Sequence, residues 1–172
     1  MGPVSAEIQI DVPRARVFEM ISDLSLRPSF TDHFISDFHL TRIDPVGTGA
    51  GARFRFAIPL RAMWMDGAIV GLEEPRRVVE RGCGGPINRI RSTTVWELEQ
   101  GPGSLTTVHV CHRFESSHPL DVVVDALTGS SFWYGRAWRK ALHRLREQLE
   151  SGASPPAPAA VAGGSAHMSV VP

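Results

Sequence analysis

The groups in this 172-residue chain most able to do chemistry are its histidines, two cysteines and a few carboxylates set among apolar residues. The densest cluster is His109-Val-Cys111-His112, which has metal-ligand types close together. In a strand, positions two apart share a face and neighbours oppose, so only His109 and Cys111 could converge. Zinc takes three or four ligands and no third is identifiable, so no metal is expected. The same alternation says more about His112. If Val108, Val110 and Phe114 form the inward apolar set, His112 faces inward with them. Burying an unpaired polar group costs about 1–3 kcal/mol, so an inward imidazole must be hydrogen-bonded or ligand-facing. It could bond a neighbouring strand, or exchange a proton with a bound ketone or phenol.

Thr94, Trp96 and Leu98 share one face of the preceding strand and should point the same way. Trp64, Asp66, Ala68 and Val70 occupy one face of an earlier strand, with Met63, Met65, Gly67 and Ile69 on the other. Both faces are apolar, so the facing is open. With Trp64 inward, Asp66 joins His112 as an acid–base pair; with Trp64 outward, Asp66 is a surface aspartate, as most are. Phe54 and Phe56 alternate with Arg53 and Arg55 and read as inward, either core or pocket wall. Phe132, Trp133, Tyr134 and Trp138 crowd the start of the last helix, where amphipathic aromatics suit a pocket mouth. Trp138 lies on that helix's leucine stripe and reads as core, while Trp133 and Tyr134 fit either role. The Gly47-Thr-Gly-Ala-Gly51 run would need a following helix to hold phosphate; a strand follows, so it reads as a hairpin turn.

Periodicity locates the elements that must position these groups. Ile8, Ile10 and Val12 alternate with Glu7, Gln9 and Asp11, a strand with one wet face. Pro13 opens a helix carrying Val17, Met20, Ile21 and Leu24 at helical spacing, and a short helical element over 26–34 folds back. Six strands are predicted over 38–44, 52–58, 63–73, 77–82, 89–99 and 105–115, joined by Gly, Pro and Asn turns as an antiparallel meander. From 119 to 150 the pattern is helical, with Trp138, Leu142, Leu145 and Leu149 on one stripe and a bend expected near Gly129 and Gly135. The domain therefore reads as 1–150, followed by a disordered Ala/Pro/Gly-rich tail over 151–172.

Composition sets the outer limits. A hydrophobic content of 42% in this length suits one globular domain. Lys+Arg and Asp+Glu are equal at 18 each, so no net field recruits nucleic acid or an anionic membrane. Cys83 and Cys111 have no Cys-x-x-Cys spacing, which fits a reduced, cytoplasmic setting. No apolar run reaches the roughly 18–20 residues that span a bilayer, and the N-terminus lacks a signal-peptide pattern. No membrane insertion is expected.

The order of elements, together with several local stretches, resembles the START-like superfamily (SRPBCC), which includes the Bet v 1 allergens and the polyketide cyclase/dehydrase group. Those stretches are Ile10-Asp-Val-Pro13 with Val17-Phe18 and Ser22-Asp23; Gly49-Ala-Gly-Ala-Arg-Phe-Arg-Phe56; Leu72-Glu-Glu-Pro-Arg-Arg-Val78; and Trp96-Glu-Leu followed by Thr106-Thr-Val-His-Val110. The resemblance spans residues 4–150. It implies an α+β helix-grip fold: a seven-stranded curved antiparallel sheet around a long C-terminal helix, two short helices between strands 1 and 2, and a hydrophobic cavity. Members range from carriers to aromatase/cyclases, so the fold leaves function open. The expectation is a protein that binds a hydrophobic or aromatic small molecule, polyketide-like or lipid-like, without a cofactor and as a monomer or homodimer. Its walls would be Phe54, Phe56, Trp64, Thr94, Trp96, Val110, Phe114, Trp133 and Tyr134. One alternative is a polyketide aromatase/cyclase or dehydratase in which His112, with Asp66 or Tyr134, moves protons. Another is a protein-interaction module with no small ligand. An open cavity bringing His112 and Asp66 together would favour the enzyme; one filled by Phe54, Phe56 and Trp96 would sink both ligand readings and leave the module.

Overall fold

The computed structural model describes residues 2–58, 61–116, 118–152 and 158–161. Strand β1 (Val4–Asp11) buries Ala6, Ile8 and Ile10 and leaves the polar residues between them wet. Pro13, at φ −55°, caps helix α1 (Arg14–Ser22), whose Val17, Phe18, Met20 and Ile21 are buried. The Asp23 carboxylate then accepts from the Ser25 N–H at 2.8 Å, starting a 3-10 turn (Leu24–Leu26) that leads into the single-turn helix α2 (Pro28–Thr31). This corner drops Leu24, Arg27 and Phe30 onto the inner face of the sheet that follows.

That sheet comprises β2 (Ile35–Leu40), β3 (Gly51–Ile58), β4 (Arg61–Glu73), β5 (Arg77–Gly84), β6 (Ile90–Gln100) and β7 (Leu105–Ser116), with β1. The order is β1-β7-β6-β5-β4-β3-β2, every pair antiparallel, so the meander closes back onto β1 and leaves β1 and β2 as edges. Strand β2 starts and ends earlier than the 38–44 predicted for it. Its pairing with β3 stops at Leu40↔Ala52, and the chain then leaves for a turn in which the Pro45 carbonyl accepts from the Leu24 N–H at 3.0 Å. The glycine run after it is a turn, with Gly47 and Gly49 at φ +93° and +94°, as expected for a hairpin.

The helical region after β7 is two helices, α3 (Pro119–Thr128) and α4 (Ser130–Ser151). Gly129 separates them at φ +59°, a left-handed conformation that ends one helix and begins the next. Helix α4 lies across the inner face of the sheet and buries Tyr134, Trp138, Ala141, Leu142 and Leu145. The architecture is the seven-stranded helix-grip anticipated. Of the tail expected to be disordered, residues 158–161 follow the β2 edge: Leu40 N–H donates to the Ala160 carbonyl at 3.1 Å and Ala159 N–H to the Ser25 carbonyl at 2.9 Å. No helix among the described residues is long and apolar enough to cross a membrane.

Candidate functional site

Strand register arranges the inner face in rows. One row, Val78–Trp96–Val110, is apolar and fully buried. The next is polar: Glu80, Thr94 and His112 lie directly opposite one another on β5, β6 and β7. The third is small, with Gly67, Gly82 and Ser92 paired across β4, β5 and β6 before Phe114 on β7. With only glycines and a serine on β4, β5 and β6, this row adds little side-chain volume beneath the helix, and a residual cavity of about 30 Å³ borders it at Gly67 and Ser92. Gly67, Ser92, Thr94, His112 and Trp138 contribute to its lining, with Phe54 and Phe56 from β3 and Arg27 and Glu80 at one end. That space suits a water or two and is well below the roughly 300 Å³ of a typical ligand pocket.

The two ends of the polar row differ in how they are satisfied. At one end Arg27, 3% exposed, places Nη2 at 2.5 Å from Glu80 Oε1 and donates to the Ile21 carbonyl at 2.9 Å. The same Glu80 oxygen accepts from Trp96 Nε1 at 2.9 Å, and the guanidinium sits 4.9 Å from the Trp96 ring centroid. At the other end His112 is 2% exposed and shares a hydrogen bond between Nδ1 and Thr94 Oγ1 at 2.8 Å. Its Nε2 is buried with no partner among the described residues. Burial holds the His112 pKa down to about 3, so the ring is neutral at pH 7. Phe114, Trp138 and Phe56 surround it at centroid distances of 4.4, 5.5 and 5.5 Å. Depending on tautomer, Nε2 can donate to a carbonyl or accept from a hydroxyl.

Of the residues expected at the site, His112, Thr94, Phe54 and Phe56 line the cavity. Phe114 and Tyr134 are buried behind them, their rings 5.0 Å apart, and Tyr134 stands 5.7 Å from Phe56. Trp96 and Val110 are core. Trp64 and Asp66 face outward, against the expectation that would place Asp66 beside His112. The β3–β4 register pairs Phe54 with Met65 and Phe56 with Met63 on the inner side, which turns Trp64 and Asp66 toward Arg55 and Arg53 on the wet side. Asp66 Oδ1 lies 3.9 Å from Arg53 Nε, and Trp64 is 43% exposed beneath the same arginine. Trp133 is likewise outside the cavity, in an outer groove shared with Arg136 and Lys140.

Arg27, Glu80, Ser92 and Gly67 line the cavity without having been anticipated. The parity that turns Val78 inward turns Glu80 inward too, so Glu80 was within reach of the pattern. Among the described residues no cluster of His, Cys, Asp or Glu could hold a metal ion. Above the cavity Phe38 stacks on Phe54 at 5.7 Å, on an edge strand interrupted by a register shift between Ser36 and His39, with Asp37 at φ +52°.

An antiparallel sheet gripping one helix around a buried, polar-floored hollow defines the helix-grip class. Residues 1–150 match the family described as "Polyketide cyclase / dehydrase and lipid transport", and the chain belongs to that family. Membership points to binding of a hydrophobic ligand or processing of a polyketide. Among solved structures, a protein from Thermus thermophilus aligns at TM-score 0.66 and 16% identity, over 89% of this chain and 100% of its own. A START superfamily protein from Mycobacterium smegmatis aligns at 0.63 and 15%, over 88% and 99%. The Panax ginseng major latex-like protein aligns at 0.60 and 15%, over 86% and 97%. These likenesses establish the fold. No curated protein matches by sequence.

Proposed function

We propose that the protein binds a small, largely apolar molecule bearing one hydroxyl or carbonyl group, held between the sheet and α4 with His112 Nε2 as its polar anchor. The observation that carries this reading is the buried, unpartnered Nε2 beside a hollow lined by Gly67, Ser92 and Thr94. Leaving a buried polar atom unpaired costs about 1–3 kcal/mol, and a ligand group removes that cost. Glu80 neutralises Arg27, so this end offers no free charge to a carboxylate. The ligand favoured is neutral. Accommodating even one aromatic ring requires Phe54 and Phe38 to swing away from the cavity, and the place of Phe38 on the irregular β2 edge, stacked on Phe54 of β3, supports that movement.

Proton-transfer catalysis is less well supported. A general base works best with a pKa near the working pH, and His112 lies more than three units below neutrality, with Asp66 on the far side of the sheet. Native mass spectrometry of the purified protein tests the binding reading. One small-molecule adduct, or uptake of added 2-naphthol that His112→Leu weakens, is the expected result; no adduct and no uptake would overturn it.

A further inference from the structure

Helix α3 carries an apolar stripe that no described residue covers. Leu120, Val123 and Leu127, spaced three and four residues apart on one face, are 62%, 51% and 81% exposed. Just past the Gly129 elbow, Phe132 and Trp133 are 64% and 38% exposed, with rings 5.6 Å apart. Large apolar residues thus stand in water on both limbs of one turn. Surface patches of this kind mark an interaction site.

The charges beside this patch are one-sided. Between Ser130 and Arg146 helix α4 has Arg136, Arg139, Lys140, Arg144 and Arg146 and no acidic residue, in a chain whose formal net charge is zero. Arg136 and Arg139 continue the face of Phe132, and Lys140 that of Trp133; all three are exposed, with no ion pair among the described residues. Arg136, Lys140 and Trp133 also meet in one outer groove with Phe34 and Ala57. Most nearby carboxylates are engaged or turned away, and exposed Glu147, seven residues past Lys140 on its face, ends the band together with the Arg146–Glu150 pair. Asp121 is buried in a bidentate pair with Arg89, at 2.9 Å for both bonds; Asp32 is taken by Arg144; Asp125 lies on the opposite side of α3 from the stripe. The balanced total conceals a basic band.

We propose that the α3–α4 elbow docks the protein onto an anionic lipid surface. The ordering along α4 favours a bilayer over a protein partner. Apolar side chains lead at the elbow, and the cations follow about 6–12 Å farther along the helix axis at 1.5 Å per residue. Hydrocarbon followed by anionic headgroups is layered on that scale, and amphipathic helices bury their apolar face about 5–10 Å deep. The contact is peripheral, and it is independent of what the inner cavity holds.

Vesicle flotation of the full chain tests this, using phosphatidylcholine alone and phosphatidylcholine with about 30 mol % phosphatidylglycerol, at low and high salt. The expected result is flotation with the anionic vesicles only, falling at high salt. Leu127→Ser with Phe132→Ser should reduce it about tenfold or more, and Arg136→Gln with Lys140→Gln several-fold with a weaker salt dependence. Because these side chains are exposed, unchanged circular dichroism and Tm will show that the variants fold. No flotation, equal flotation with neutral vesicles, or unchanged flotation of the apolar double variant would overturn the proposal. So would a dimer in sedimentation velocity that this variant abolishes, or capture by an acidic protein, without vesicle binding.

Discussion

Two rows of the same sheet, separated only by the polar row between them, have opposite fates. Val78–Trp96–Val110 is solid: Trp96 is fully buried, and its one polar atom is bonded to Glu80. Gly67–Gly82–Ser92 crosses the neighbouring positions of β4, β5 and β6 and supports a hollow. The difference is side-chain volume on one continuous backbone, so the sheet is a wall at one end and borders a hollow at the other. The polar row follows the same division. Its Arg27–Glu80 end, beside the tryptophan, is ion-paired, with only Arg27 Nε left without a partner among the described residues, while its His112 end, beside the hollow, leaves Nε2 open.

The largest test of that division is at the paired end. Glu80→Ala leaves Arg27 buried without its partner and should cost about 3–5 kcal/mol in urea denaturation, whereas Arg27→Met with Glu80→Leu should cost far less. A small loss for the single variant would show that the pair is not structural.

The next effect is acid sensitivity. The folded-state pKa of His112 is depressed from 6.5 to about 3, so below pH 6.5 the unfolded chain binds a proton that the folded one refuses. Stability from this group is present above pH 6.5 and is lost as pH falls toward 3, at about 1.4 kcal/mol per unit. Between pH 7 and 5 the wild type should lose about 2 kcal/mol more than His112→Phe, a difference that cancels what the other titrating groups contribute to both proteins.

Filling the hollow is a milder change. Ser92→Val should alter stability by no more than about 1 kcal/mol while weakening binding of 2-naphthol about tenfold, read by isothermal titration calorimetry. Smallest is Asp66→Asn, on the wet face 3.9 Å from Arg53, which should leave 2-naphthol binding unchanged and stability within about 0.5 kcal/mol.

Local pattern made much of this legible, and its failures have local causes too. Alternation turned His112, Thr94, Trp96 and Phe114 inward correctly because their strands have one wet and one apolar face. It could not orient β4, where Trp64, Ala68 and Val70 match Met63, Met65 and Ile69 in apolar character; the register against Phe54 and Phe56 decides it. Helical phase separates Trp133 from Tyr134, since only Tyr134 lies four residues before Trp138 and eight before Leu142 on the buried stripe. Arg27 was beyond local reading. Its burial depends on Glu80, 53 residues away, and no short-range period records such a pairing.

The central claim is that a ligand's polar group completes His112 Nε2, and nitrogen NMR of the imidazole during titration with 2-naphthol tests it most directly. Saturable movement of the His112 Nε2 resonance, with Nδ1 still bonded to Thr94 and with the affinity measured by calorimetry, is the expected result. Binding that leaves the Nε2 resonance unmoved would contradict it.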